Sequence, residues 1–245
     1  LGFAGGNNVG IRRSLALDAR YILLLNNDTV VHEKALEELV RTLEEHPEAG
    51  IVGGKILYLD RPDIVWFAGG EFNTRAGFGN HIGIGKRDDG TYDALRECDY
   101  ITGCCLLVRS EVFRSVGLLD DSFFAYLEDV DFCVRARGAG YKILYQPRAV
   151  IHHNVSSTTS WDSPLYLYFN LRNKILFLRK HRRGMSWVPY LPKLVYFYLR
   201  QFVRLIVKWR NLPSARAAWW GLIDGLRGFT GISGMGRLPQ LPGQS

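Results

Sequence analysis

Runs of apolar residues broken by sharp polar stops set the rhythm of the first 160 positions. Tyr21-Ile22-Leu23-Leu24-Leu25 ends abruptly at Asn26-Asn27-Asp28. Five apolar residues closed by a turn signal predict a strand buried on both faces, the environment that a parallel sheet provides. In the next segment Leu36, Leu39, Val40 and Leu43 share one face of a helix, which Pro47 and Gly50 bring to a stop. Residues 51–59 read as a second strand, and strand, helix, strand in that order predicts an α/β sheet. The rhythm returns later: residues 100–120 read as strand then helix, and 130–153 as a helix ending at Gly138 or Gly140 followed by a strand. Residues 60–97, rich in Gly, Asp and Arg, read as an irregular excursion or hairpin. The opening, 1–19, has clustered Gly and Asn before Val9, Ile11, Leu15 and Leu17, which suits a loop running into a helix.

From Trp161 the pattern changes to apolar and aromatic helices studded with Arg and Lys. The charge divides at the same place. Residues 1–160 hold 17 Lys+Arg and 22 Asp+Glu, whereas 161–245 hold 14 and 2, so the net +7 belongs to the last third. No run there reaches the roughly 18 uncharged apolar residues that a membrane span needs. Arg200, Arg204 and Lys208 recur every fourth residue and line one face of an otherwise apolar helix. That pattern predicts a helix lying in a membrane interface; the plainer alternative is a helical subdomain on the main core with a solvated basic face. Nucleic acid is excluded as a partner, because the bases are interleaved with long aliphatic runs. The division predicts two parts, an α/β domain over 1–160 and a helical region over 161–245. The four cysteines, Cys98, Cys104, Cys105 and Cys133, lack metal-binding spacing and read as reduced, buried thiols. No charged segment leading into an apolar one opens the chain, so no signal peptide is read there.

Three groups are candidates for chemistry. Asn26, Asn27 and Asp28 stand where a buried strand stops, the place where open α/β sheets bind ligands, although Asn and Asp also make plain turns. Glu128, Asp129 and Asp131 sit within FAYLEDVDFCVR among aromatic and aliphatic neighbours. Acids at a helix start complement its dipole; a carboxylate walled by Phe and Tyr is also a general base with a raised pKa. Asp131 and Arg135, four apart, predict a helix-surface ion pair. His152-His153 closes a strand, as a metal ligand or as an ordinary hydrogen-bonding residue.

Four segments taken in series, 2–11 (GFAGGNNVGI), 21–29 (YILLLNNDT), 99–153 and 163–181 (SPLYLYFNLRNKILFLRKH), resemble the inverting family-2 glycosyltransferases. The likeness is to the rhamnosyltransferase-type branch that builds bacterial surface polysaccharides. The resemblance implies a GT-A nucleotide-diphospho-sugar transferase fold, a mixed, mainly parallel sheet flanked by helices, to which the basic pattern of 161–245 adds a C-terminal helical membrane-associating region. It implies Asp129 as catalytic base with Glu128 beside it, and Asp28 as ligand of Mn²⁺ or Mg²⁺, completed by His152 with His153 as the fallback. Asn26 stands where the family often has Asp, which leaves fewer charges for the cation. Gly5, Gly6 and Asn8 match the nucleotide-side loop, and Asn26 and Asn27 lie on the same donor side. The implied donor is a dTDP- or UDP-sugar, with dTDP-rhamnose the best match. The implied acceptor is a lipid-linked saccharide or polysaccharide of the cell envelope, met by a cytoplasmic enzyme peripheral to the inner face of the plasma membrane. The family begins with a strand and nucleotide-base loop, so about fifty residues are expected upstream of Leu1. The other function class is a noncatalytic GT-A-like module that holds a sugar nucleotide or polysaccharide.

Overall fold

The apolar run at 21–25 forms strand β1 (Tyr21–Leu25), preceded by helix α1 (Gly2–Ala16) and followed by β2 (Thr29–Val31) and α2 (Ala35–Glu45). The computed structural model describes residues 1–73, 78–155, 163–181, 191–208, 211–233 and 236. Next come β3 (Ala49–Tyr58), β4 (Val65–Phe67), the hairpin β5 (Gly70–Asn73) and β6 (Phe78–His81), β7 (Arg96–Glu97) and β8 (Cys105–Arg109). Helices α3 (Ser110–Val116) and α4 (Glu128–Gly138) lead to the long strand β9 (Lys142–His153). Three helices close the chain: α5 (Pro164–Lys180), α6 (Leu191–Val203), which continues into a π-turn at Arg204–Lys208, and α7 (Leu212–Arg227).

The main sheet has the order β1-β8-β3-β9-β2, with β4 on β3 and β7 on β9. Strands β1, β3 and β9 run in one direction, as helical crossovers require. Strand β8, however, enters between β1 and β3 antiparallel to both. Strands β2, β4 and β7 also pair antiparallel, so β3–β9 is the parallel pair among the described strands. The sheet is mixed, but the expectation that it is mainly parallel is corrected. β8 arrives from the excursion over 60–104 without a crossover helix and therefore runs reversed. Strand β1 is not buried on both faces either. Ile22 and Leu24 are buried, Tyr21 and Leu23 only partly, and Leu25 is exposed, because β1 ends the described strand order.

Helix α1 corrects a second expectation. The Gly- and Asn-rich opening is helical from Gly2 onward, not a loop. Glycine disfavours a helix by about 1 kcal/mol per residue. Tertiary bonds outweigh that here: Ala4 and Ile11 enter the core, and the Asn8 side chain both donates to the Leu119 carbonyl at 2.8 Å and accepts from the Leu119 amide at 3.1 Å. On α2 the buried face is Ala35, Leu39 and Leu43, with Val40 partly covered and Leu36 exposed.

The core gathers Ile51, Val52, Leu106, Val108, Phe113 and Phe132 around the central strands. A second apolar cluster joins α5, α6 and α7. Helix α7 lies close on α5 because Gly221 presents no side chain: a Cβ there would stand 2.5 Å from the Tyr168 carbonyl oxygen. The expected boundary at 160/161 lies outside the described residues. Beyond it α5 serves both clusters, since Phe177 packs into the sheet core and Leu167, Leu171 and Ile175 into the helical one. All four cysteines are free and buried. Among the described residues no helix is long and apolar enough to cross a membrane.

Candidate active site

The acidic stretch stands at the end of a strained loop. Phe124, Tyr126 and Leu127 have φ of 65°, 69° and 73°, a region that costs a non-glycine residue about 1–3 kcal/mol. The loop holds that shape because its carbonyls are bound from outside. Fully buried Arg172 donates to Phe123 at 2.9 Å, and Asn173 Nδ2 reaches the carbonyls of Phe123, Ala125 and Tyr126 at 2.9, 2.7 and 2.7 Å. The Ala4 amide takes the Phe124 carbonyl at 3.2 Å. Helix α4 starts immediately after, so Glu128 and Asp129 are fixed at its first turn, where unpaired amides favour negative charge.

The two acids have different surroundings. Glu128 is 4 % exposed, and its Oε2 has no hydrogen-bond partner among the described residues. Burial, and then the neighbouring Asp129 charge, push its pKa well above the ordinary range and so favour its protonated form. Burial raises Asp129 too, but it accepts from the Gly103 amide at 2.9 Å and its own neighbour Val130 at 2.8 Å, bonds that favour the anion. Of the two, Asp129 is the carboxyl whose hydrogen bonds favour the anion. The contact requires Gly103: a Cβ there would lie 2.8 Å from the ring of Phe3. Asp131 corrects the expected surface ion pair. It is fully buried, bound by Arg135 Nε at 2.8 Å, His181 Nε2 at 2.7 Å and Lys180 Nζ at 2.8 Å. Burial alone would raise its pKa; His181, Arg135 and Lys180 together bring it below the usual carboxylate value. Asp131 thus ties α4 to the end of α5.

Across the cavity, β2 pairs with β9 so that Thr29 faces His153. That register brings His153 Nε2 to 3.1 Å from Asp28 Oδ1. His153 is buried beside half-buried Asp28 and both line the cavity, whereas His152 is not among the lining residues. The geometry thus sets His153, the fallback, and not His152, beside Asp28, because successive side chains of a strand point to opposite faces. Among the described residues no group of three or more His, Cys, Asp or Glu gathers as a metal cage. A carboxylate and an imidazole 3.1 Å apart fit instead a cation whose remaining ligands are phosphate oxygens of a substrate.

One cavity of about 650 Å³ joins these groups, lined by Asn26, Asn27, Asp28, Glu128, Asp129 and His153 among others. Gly5, Gly6 and Asn8 do not line it; Phe3 of the same helix does, since the turn of α1 directs the later residues toward the core and the 119–121 segment. Trp66, His81 and Lys174 are among the lining residues outside the sequence candidates. Trp66 and His81 stack edge to face at 4.7 Å, and neither Trp66 Nε1 nor His81 Nδ1 has a hydrogen-bond partner among the described residues. Burial drives the His81 pKa down to about 4, so the ring is neutral. Lys174 lines the cavity from α5, following Tyr166 and Asn170 at intervals of four, and burial pushes its pKa down to about 8. The signal for it was that four-residue spacing. Buried polar atoms without partners, gathered on one cavity, mark a ligand site.

The family described as Glycosyl transferase family group 2 matches residues 21–226. The chain is 27% identical over 234 residues to the low-salt glycan biosynthesis hexosyltransferase Agl10 of Haloferax volcanii, covering 94% of this chain and 74% of that protein. It is 25% identical over 180 residues to an N-acetylglucosaminyl-diphospho-decaprenol L-rhamnosyltransferase of Mycobacterium tuberculosis, covering 69% of this chain and 58% of that protein. With the dTDP-rhamnosyl transferase RfbF of Shigella flexneri it shares 24% identity over 241 residues, 94% of this chain and 77% of the relative.

Proposed function

The chain belongs to glycosyl transferase family group 2 and is a glycosyltransferase, and from that premise we propose that it transfers rhamnose from dTDP-rhamnose, with inversion, to a hydroxyl of a lipid-linked saccharide in envelope glycan synthesis. The donor follows the name of the Shigella flexneri relative and the acceptor that of the Mycobacterium tuberculosis relative. The observation that carries the reading is the placement of Asp129, oriented by the Gly103 amide beside buried Glu128, in the same cavity as Asp28 and His153.

In this reading the acceptor hydroxyl lies beside Asp129. The carboxylate, oriented by the Gly103 and Val130 amides, takes the hydroxyl proton as the acceptor oxygen bonds to the anomeric carbon. On the opposite face the bond from that carbon to the nucleoside diphosphate oxygen breaks, and the configuration inverts. Glu128, kept neutral, spares Asp129 a second adjacent charge. Asn26 and Asn27 hold the donor side, and holding both substrates in line lowers the entropic part of the barrier. Asp28 and His153 would hold Mn²⁺ or Mg²⁺, which would offset the negative charge developing on the leaving diphosphate. The fold that positions these groups is read as GT-A.

The test is a transfer assay with dTDP-rhamnose and UDP-hexoses against a polyprenyl-diphosphate-linked N-acetylglucosamine, followed by release of nucleoside diphosphate and mass of the product. Turnover of dTDP-rhamnose alone supports the reading. Turnover of another donor replaces the sugar, and donor binding without turnover by folded protein makes the chain a noncatalytic module.

A further inference from the structure

The C-terminal helices expose apolar side chains in an ordered way. On α6 and its π-turn, Tyr198 and Leu205 are buried and Phe202 half-buried against α5 and α7. Around α6, at 100° per residue, Val195, Tyr196, Leu199 and Val203 occupy the adjoining arc, about 100° wide. They are 47, 66, 59 and 59% exposed. Arg200 and Arg204, both exposed, stand at the far edge of that arc. The circumference thus runs from packed, to exposed apolar, to basic. Ile206, 47% exposed, continues the apolar row through the π-turn, and Trp219 of α7, 52% exposed with its ring 5.9 Å from Phe202, widens it onto the neighbouring helix.

A core helix buries its apolar face, and a solvated helix has a polar one; this helix uses one apolar face for packing and exposes another. What covers that face must accept both hydrocarbon and positive charge. Residues 161–245 contain 14 bases and 2 acids, and one of those acids, Asp224, is buried against the Tyr168 hydroxyl. A second copy meeting the same face would set its own arginines against these. A duplex nucleic acid offers phosphates but nothing for Leu199 or Val203. An anionic bilayer offers both at one depth step.

We infer that α6, with the adjoining edge of α7, is a lipid-docking surface that lies in the interface of an anionic bilayer. Val195, Leu199 and Val203 enter the boundary between headgroups and acyl chains, and Arg200 and Arg204 stand at the level of the lipid phosphates. The inference is independent of the proposed sugar transfer, since vesicle binding is read without donor or acceptor.

The experiment is co-sedimentation of the full chain with vesicles of phosphatidylcholine, alone or mixed with phosphatidylglycerol. Wild type is expected to sediment with the mixed vesicles and to be released in part by salt. Arg200→Glu with Arg204→Glu should lower binding to mixed vesicles about tenfold or more and leave the weak binding to phosphatidylcholine unchanged. Leu199→Asp with Val203→Asp should lower binding to both. These side chains are exposed, so thermal melts of both variants should match wild type. Equal recovery with the two vesicle types, or no recovery of a folded wild type, overturns the inference. So does a concentration-dependent dimer that Leu199→Asp with Val203→Asp abolishes, which would make the face an interface between copies. Binding to a duplex oligonucleotide that displaces the vesicles would overturn it in favour of nucleic acid.

Discussion

The Gly103 amide donates to Asp129 Oδ2 at 2.9 Å, which joins the turn before β8 to the first turn of α4. That bond orients one carboxylate, while its neighbour, Glu128, is buried with its Oε2 lacking a partner among the described residues. Asp129→Asn should lower kcat about 10²–10⁴-fold and leave the donor dissociation constant near wild type, measured by steady-state kinetics and calorimetry. Glu128→Gln copies the neutral form of Glu128 and should lower kcat by far less. A fall as large as that of Asp129→Asn would reverse the two roles.

The raised pKa of Glu128 also has a consequence for stability. A carboxyl that stays protonated in the folded state, above the ordinary unfolded value near 4.3, binds more protons folded than unfolded over that interval. Its contribution is complete below the unfolded pKa and is lost as pH rises toward the folded one. Glu128→Gln removes the loss, so its melting temperature should exceed that of wild type at pH 7 and the two should converge near pH 4. Parallel curves across that range would show Glu128 ionised in the fold.

Asn173 bonds three carbonyls of the strained loop without touching the cavity itself. Asn173→Ala takes this donor from the Ala125 and Tyr126 carbonyls, at about 1–3 kcal/mol each where buried, while Phe123 keeps Arg172, and it frees Tyr126 and Leu127 to leave the left-handed region. The expected result is a kcat lowered about tenfold or more with donor KM little changed, beside a lower melting temperature. Loss of stability with unchanged kcat at low temperature would limit Asn173 to a structural role.

Local pattern exposed some of this and hid the rest for identifiable reasons. Runs such as Tyr21–Leu25 stand out because their apolar side chains have polar stops, but periodicity is indifferent to direction, so β8 gave no sign of running against β1 and β3. Glu128 and Asp129 were visible because charge among Phe, Tyr and Leu is conspicuous. His152 and His153 differ only in the face they occupy, and the register Thr29 with His153, a pairing across more than a hundred residues, decides it. The helix at Gly2–Ala16 rests on Asn8 and Leu119, again a distant pair that outweighs local glycine preference. Trp66 and His81 come from a stretch without periodicity, and so were read as excursion.

The cation arrangement predicts a difference between adjacent residues. His153→Ala removes one of two groups that stand 3.1 Å apart, whereas His152→Ala leaves both. In a Mn²⁺ titration followed by calorimetry in the presence of donor, His153→Ala and Asp28→Ala should each weaken the apparent metal affinity about tenfold or more, and His152→Ala should not. The reverse ranking would place the metal on the other face of β9.

Lys174 faces the cavity from α5 with its pKa pushed down to about 8 by burial. An unfolded lysine titrates near 10.4, so between about pH 8 and 10.4 the unfolded chain binds more protons and stability rises with pH. Below that window the folded protein bears a desolvation cost for the ammonium group. Lys174→Met should therefore melt higher than wild type at pH 7, with the gap closing as pH rises through the window. A cost retained in the wall of a ligand cavity argues for a task there, and the task suited to a partly desolvated cation is to meet an anionic group of a substrate. The same variant should raise the KM of one substrate about tenfold at pH 7, and in wild type that KM should climb as pH passes 8. A stabilised Lys174→Met with both KM values unchanged would leave the lysine without a part in substrate binding.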